Sequence, residues 1–255
     1  MSTQDTLEDL RDCWFRVALA VNGELSPTKI FPPLADVRLG TAPHNEFVVS
    51  GVPWASLLVL SSGTTLHLLP ESEVRMGGRS SPLTVARYDG SSRVAVTAES
   101  VKYCVTDSIT MFVHYHPNRE ALEDIVRWMD RRQHIEMLCA PRVLQSLPAE
   151  TSEDRTRARF ATTLAADVLT VAARLGSGAD CGAELETQRE LLAESLLVDS
   201  TDESVARLPS DHARLAEMVE AGADASSVRR QCQDMLAGFG IDLEDVLTLQ
   251  HTTDG

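Results

Sequence analysis

The apolar residues of this chain change their spacing once, and the change falls at Pro117-Asn118. Ahead of it they recur at every second position, as in Phe15, Val17, Leu19 and Val21, the period of a half-buried strand. Beyond it Leu122, Ile125, Val126 and Met129 share one face of a helix. Such a break predicts two domains of different class, an antiparallel β-sandwich followed by an all-α bundle. The expected limits are an N-terminal tail over 1–13, a β domain over 14–117 and an acidic helical domain over 118–255.

Within the first half, WFRVALAV precedes Asn22-Gly23, a hairpin signal because both residues tolerate positive φ. Lys29 to Phe31 reads as the returning strand, ended by Pro32-Pro33. ASLLVL, TTLHLL, LTVARY, RVAVTA, VKYCVT and TMFVHYH then follow at intervals of roughly eight to twelve residues. PESEVRMGGRSSP reads as turn. No helix-length crossover intervenes, which favours a sandwich over a parallel sheet.

Between these strands lies Ala35 to Val49, ADVRLGTAPHNEFVV, which predicts two short strands around a tight loop. Val37 and Leu39 alternate with Asp36 and Arg38, Gly40, Pro43 and Asn45 supply turn chemistry, and Phe47, Val48 and Val49 resume an apolar run. With WFRVALAVNGEL before it and VKYCVTDSITMFVHY after it, this segment resembles the forkhead-associated (FHA) domains over about residues 14–116. The resemblance rests most on Gly40, Asn45, Phe47, Val48 and Val49. It implies a β-sandwich whose loops at one end bind phosphothreonine peptides.

The departures from that family bear on function. Thr41 stands where the family's phosphate-holding arginine follows the glycine. PWASLL over 53–58 stands where Ser-x-x-His is expected and contains no histidine, and Gly77-Gly78 replaces a later Asn-Gly. A phosphate dianion thereby loses its charge-assisted donors. The resemblance therefore implies a degenerate domain that docks a protein without reading phosphate. The expected docking residues are Thr41, Asn45 and Trp54, with Arg38, Arg75 and Arg79 as the cations that would restore phosphate recognition. Trp54 follows Val52-Pro53 and reads either as an interface anchor or as a plug at the end of the sandwich.

In the second half, Asn118 is an N-cap and Pro141 is expected to stop the first helix. Ser152 opens a longer one, with Phe160, Leu164, Val168, Val171 and Leu175 on its apolar face and alanines that admit a close neighbour. Helices bearing Leu185, Leu191, Leu192 and Leu196, then Leu215, Met218 and Val219, then Val228, Met235, Leu236 and Phe239 follow, with a short last one in IDLEDVLTL. This gives five or six helices, with the last four residues frayed.

Charge separates the halves. Of the net −15, residues up to Pro117 carry −3 and the rest −12. Such a surface repels nucleic acid and anionic membranes at long range, and no apolar run approaches the ~20 residues of a membrane span. The acidic N-terminus lacks the regions of a secretory signal. Five scattered cysteines without CxxC spacing fit reduced thiols, so the expected location is the cytoplasm.

No catalytic motif emerges. His67, His114 and His116 lack an acidic partner at ligand spacing, so no metal site is expected. GGRSSP over 77–82 lacks phosphate-loop spacing, and His44, His134, His212 and His251 are dispersed. The expectation is a non-enzymatic scaffold without cofactor, taking one or more protein partners, with self-association open. The alternatives are a phosphothreonine-peptide adaptor and an enzyme with its site in the helical half.

Overall fold

The structure, a computed structural model, describes residues 10–78, 83–148 and 150–249. Most of the expected tail, Arg79, His251 and the frayed C-terminus lie outside those residues. The chain is α+β: twelve described strands precede six described helices, and it divides into two compact units between Val126 and Arg127.

The strands are β1 (Trp14–Val21), β2 (Glu24–Leu25), β3 (Lys29–Phe31), β4 (Val37–Gly40), β5 (Phe47–Val48), β6 (Leu57–Ser61), β7 (Thr65–His67), β8 (Glu73–Met76), β9 (Thr84–Arg87), β10 (Arg93–Ala95), β11 (Ser100–Thr106) and β12 (Ile109–His116). One sheet runs β2-β1-β12-β11-β8-β9, with β3 also on β1; the other runs β10-β7-β6-β4-β5. All pairs are antiparallel except β4 with β5. Asn22 and Gly23 take φ of 53° and 87°, the positive values that close β1 onto β2.

Inward side chains of both sheets, among them Phe15, Leu39, Leu60, Leu66 and Met111, form one buried cluster. Two tyrosines of the first sheet reach across it to backbone of the second. Tyr115 donates to the Gly63 carbonyl at 2.6 Å, and Tyr103 donates to the His67 carbonyl. Burial pushes both phenols above their usual range, so both stay protonated donors.

The helices are α1 (Arg119–Ser146), α2 (Ser152–Gly176), α3 (Gly182–Ala193), α4 (Glu203–Glu220), α5 (Ala225–Ala237) and α6 (Leu243–Thr248), with a short 3-10 turn at Leu196–Asp199. Asn118 caps α1, its Oδ1 accepting from the Glu120 N–H at 2.8 Å. In the second unit α2 is buried almost all round from Leu164 to Ala173, which makes it the central helix. It packs most extensively on α5. A Cβ at Gly176 would lie 2.8 Å from Cδ2 of Leu243, so a larger residue there would have to displace the Leu243 side chain of α6.

Several expectations fail locally. Pro141 does not stop α1, which continues to Ser146. Pro141 and Met137, four residues back, are both exposed, so the carbonyl that loses its donor faces water. Glu73–Met76 is a strand rather than turn, because β11 and β9 pair it on either side. Phe160 is 54% exposed and lies off the buried face of α2. Leu196 lies in the 3-10 turn beyond α3.

Removing the Tyr115 hydroxyl (Tyr115→Phe) leaves the Gly63 carbonyl buried without its partner and is expected to destabilise the β unit by about 1–3 kcal/mol. Urea unfolding reads this as a lowered midpoint at unchanged slope; an unchanged midpoint would mean that water replaces the phenol.

Candidate functional site

The segment with the most specific sequence signal folds into two mutually locked loops. Gly40 ends β4 at φ +154°, where its backbone runs against the Trp54-Ala55 peptide. A Cβ at Gly40 would lie 2.5 Å from the Ala55 oxygen and 2.9 Å from the Trp54 oxygen, so no other residue fits without moving the second loop. Those two carbonyls take the next two amides, Thr41 N–H to Trp54 at 3.1 Å and Ala42 N–H to Ala55 at 2.8 Å. The Val49 N–H closes back on the Gly40 carbonyl at 2.9 Å. Asn45 is buried, and its Nδ2 donates to the Ala55 carbonyl at 2.8 Å.

Of the expected docking residues, the structure brings Thr41, Asn45 and Trp54 together. Thr41 is exposed, with its hydroxyl 3.4 Å from the Trp54 carbonyl. Trp54 is half-buried and packs on the β core, so part of it plugs and part of it faces out. Asn45 points inward as the tether between the loops rather than outward to a partner.

The arginines are placed elsewhere. Arg38, two residues before Gly40, pairs with Asp36 at 3.3 Å, and its backbone N–H is held by Glu46 at 2.7 Å. Arg75 is an exposed mid-strand residue of β8, paired with Glu73 at 2.7 Å. Arg79 lies outside the described residues. Gly77 bonds the Ser100 carbonyl beside the Tyr115 end of the first sheet. Tyr115 in turn reaches the turn at Gly63, the end of β6 away from Gly40. The Gly77-Gly78 segment therefore leaves its sheet at the end opposite the locked loops. Sequence reasoning missed Asp36, Glu46 and Lys29, whose ammonium donates to the Glu46 carbonyl at 2.7 Å and sits 5.4 Å from the centre of the Phe47 ring.

In the helical unit the nucleophile candidates are interior. Burial pushes the thiols of Cys139 and Cys181 up to about 11 and that of Cys232 up to about 12, so all three are protonated near neutrality. His212 is 1% exposed on α4, its Nε2 without a hydrogen-bond partner among the described residues. Burial, and secondarily the Arg189 charge, pull its pKa down to about 4. His114 and His116 lie in one sheet and His67 in the other; among the described residues no three metal-ligating side chains converge. No described helix is long and apolar enough to cross a membrane. Comparison with known proteins returned no matching family model, curated protein or solved structure.

Gly40→Ala is expected to break the loop lock and cost about 2–4 kcal/mol, since the clash is with backbone and the positive φ adds strain. Amide exchange resolved by residue would show lost protection at Thr41, Ala42 and Val49; unchanged protection there would refute the lock. The second expectation concerns pH. His212 has a folded pKa below its unfolded value of about 6.5, so its contribution is full above that value and is lost as pH falls towards about 4, when the unfolded chain takes the proton first. The loss amounts to about 3 kcal/mol over that window. His212→Leu should flatten this part of the stability–pH curve relative to the unsubstituted protein, and parallel curves would exclude His212 as the cause.

Proposed function

We propose that this chain is a non-enzymatic interaction protein of a cytoplasmic assembly, in which the Gly40–Trp54 end of an FHA-like sandwich docks a protein partner without reading phosphate. The acidic helical half would engage a second partner or self-associate. The mutual locking of the two loops carries the reading. Four main-chain and side-chain bonds and one glycine contact hold the Thr41–Trp54 surface in place without any ligand, so little ordering cost remains to be met on binding. A half-buried tryptophan at the rim of such a rigid surface has the character of an interface anchor.

Charge supports the phosphate-independent form of docking. The Arg38 guanidinium is paired with Asp36 at 3.3 Å, so the cation nearest Gly40 in sequence already has a carboxylate partner. The arrangement of two sheets over one core agrees with what the resemblance to FHA domains implies.

The test is capture of partners from source-cell lysate with the full chain as bait, before and after phosphatase treatment, followed by affinity measurement on the partner recovered. Binding should survive phosphatase and fall about thirtyfold on Trp54→Ala, the ~2 kcal/mol of a hot-spot tryptophan. A partner lost after phosphatase would overturn phosphate-independent docking. Equal affinity of the Trp54→Ala protein would remove the anchor from this surface.

A further inference from the structure

The first sheet ends in a strand that is open on one side. Among the described residues β9 pairs only with β8, in the register Glu73 with Arg87 and Arg75 with Val85. One step further in the same register, the Tyr88 N–H donates to the Ser72 carbonyl at 3.4 Å. Main-chain groups of an antiparallel strand face its partner at every second residue. Ala86 and Thr84 therefore bond β8, and the N–H and C=O groups of Val85 and Arg87 point to the open edge.

The two faces of this edge differ in chemistry. On the outer face stand Leu83, Val85 and Arg87, the first two 67% and 48% exposed, with Arg75 and Lys102 next in the cross-strand row from Val85. Strands β8, β9, β11 and β12 together contain three Lys/Arg residues, Arg75, Arg87 and Lys102, and a single carboxylate, Glu73. Arg75 and Arg87 both pair with that carboxylate, at 2.7 and 3.7 Å. The Arg75 hydrogen bond first, then the charges of all three cations, hold Glu73 below the usual carboxylate range. On a chain of net charge −15 this is a local excess of positive charge. On the core face, Ala86 is only partly covered and Tyr88 is exposed, so the core runs out beneath the edge.

We propose that β9 receives an extended, acidic segment of a partner protein as an additional strand. Its main chain would bond the outward groups of Val85 and Arg87. Its alternate side chains would be carboxylates meeting Arg87 and Arg75 on the outer face, and apolar groups extending the core over Ala86 and Tyr88 on the other. Strand addition uses main-chain bonds for affinity and alternate side chains for specificity. A second copy of this chain is the less suited occupant, because it would bring two positively charged edges together. This surface is separate from the Gly40–Trp54 loops and does not depend on how they bind.

The test measures anisotropy of a short fluorescein-labelled peptide alternating valine with glutamate, titrated with the full-length protein. Val85→Pro removes an N–H that no bond to β8 uses, and an edge strand tolerates proline with that side facing water. It should weaken binding about tenfold, and Arg87→Glu should do the same by reversing the charge, each the loss of one strong hydrogen bond or ion pair. Trp54→Ala should bind the peptide unchanged. If Val85→Pro fails to fold, Arg87→Glu decides alone. Absence of binding, equal binding of a lysine-for-glutamate peptide, or full affinity in Arg87→Glu would overturn the proposal. So would a dimer in sedimentation that Val85→Pro dissociates, which would assign the edge to a second copy.

Discussion

Two phenol hydroxyls fix how the sheets of the β unit meet. Apolar burial between sheets is non-directional and would accept a slide of one layer over the other. The hydrogen bonds from Tyr115 to Gly63 and from Tyr103 to His67 do not, because each ends on a particular carbonyl of the opposite sheet. One acts at the turn between β6 and β7, the other near the far end of β7, so together they set both position and direction. The loop end depends on this. β6 leads back from the pinned turn to Leu57, beside which Gly40 and Ala55 meet.

Much of the architecture was legible because it is written in short-range period. Strand alternation, the Asn22-Gly23 turn and the Asn118 cap each act over a few residues, and each is where the residues predict. What was not legible depends on neighbours distant in sequence. PESEVRMGG has turn composition, yet β11 and β9 supply the ladder that makes Glu73–Met76 a strand. Proline predicts a helix end, but at Pro141 the cost falls on a solvated carbonyl, and the buried row Ile135, Cys139 and Val143 holds α1 through it. Phe160 fits the helical period and is still exposed, because the buried row at that turn runs through its neighbours Ala158, Ala161 and Thr162 instead.

The candidate site divides in the same way. That Gly40 and Asn45 shape a turn follows from residue type alone. That the turn is locked to Trp54-Ala55 does not, because the lock consists of main-chain carbonyls, which every sequence carries. Residue type also assigned Asn45 to a docking role, whereas burial makes it the tether. The arginines illustrate the limit most clearly. Arg38, Arg75 and Arg79 look equivalent in a sequence, but Arg38 is bound to Asp36, at the end of β4 away from Gly40, and Arg75 belongs to a different cationic surface in mid-sheet.

The β unit thus carries little net charge and yet is not electrically uniform. Around β4 the carboxylates of Asp36 and Glu46 are matched by the cations Arg38 and Lys29; across β8, β9 and β11, three cations share one carboxylate. The cationic surface selects against a basic partner, because like charges brought together at an interface cost more than a solvated charge returns. The balanced surface around β4 imposes no such selection, so the two surfaces of the unit differ in what charge can discriminate. Trp54 lies with the balanced loops, and the open main chain of β9 lies with the cations. Charge that nearly cancels in the sum is thus unevenly placed, and its placement rather than its total decides where the unit can discriminate by charge.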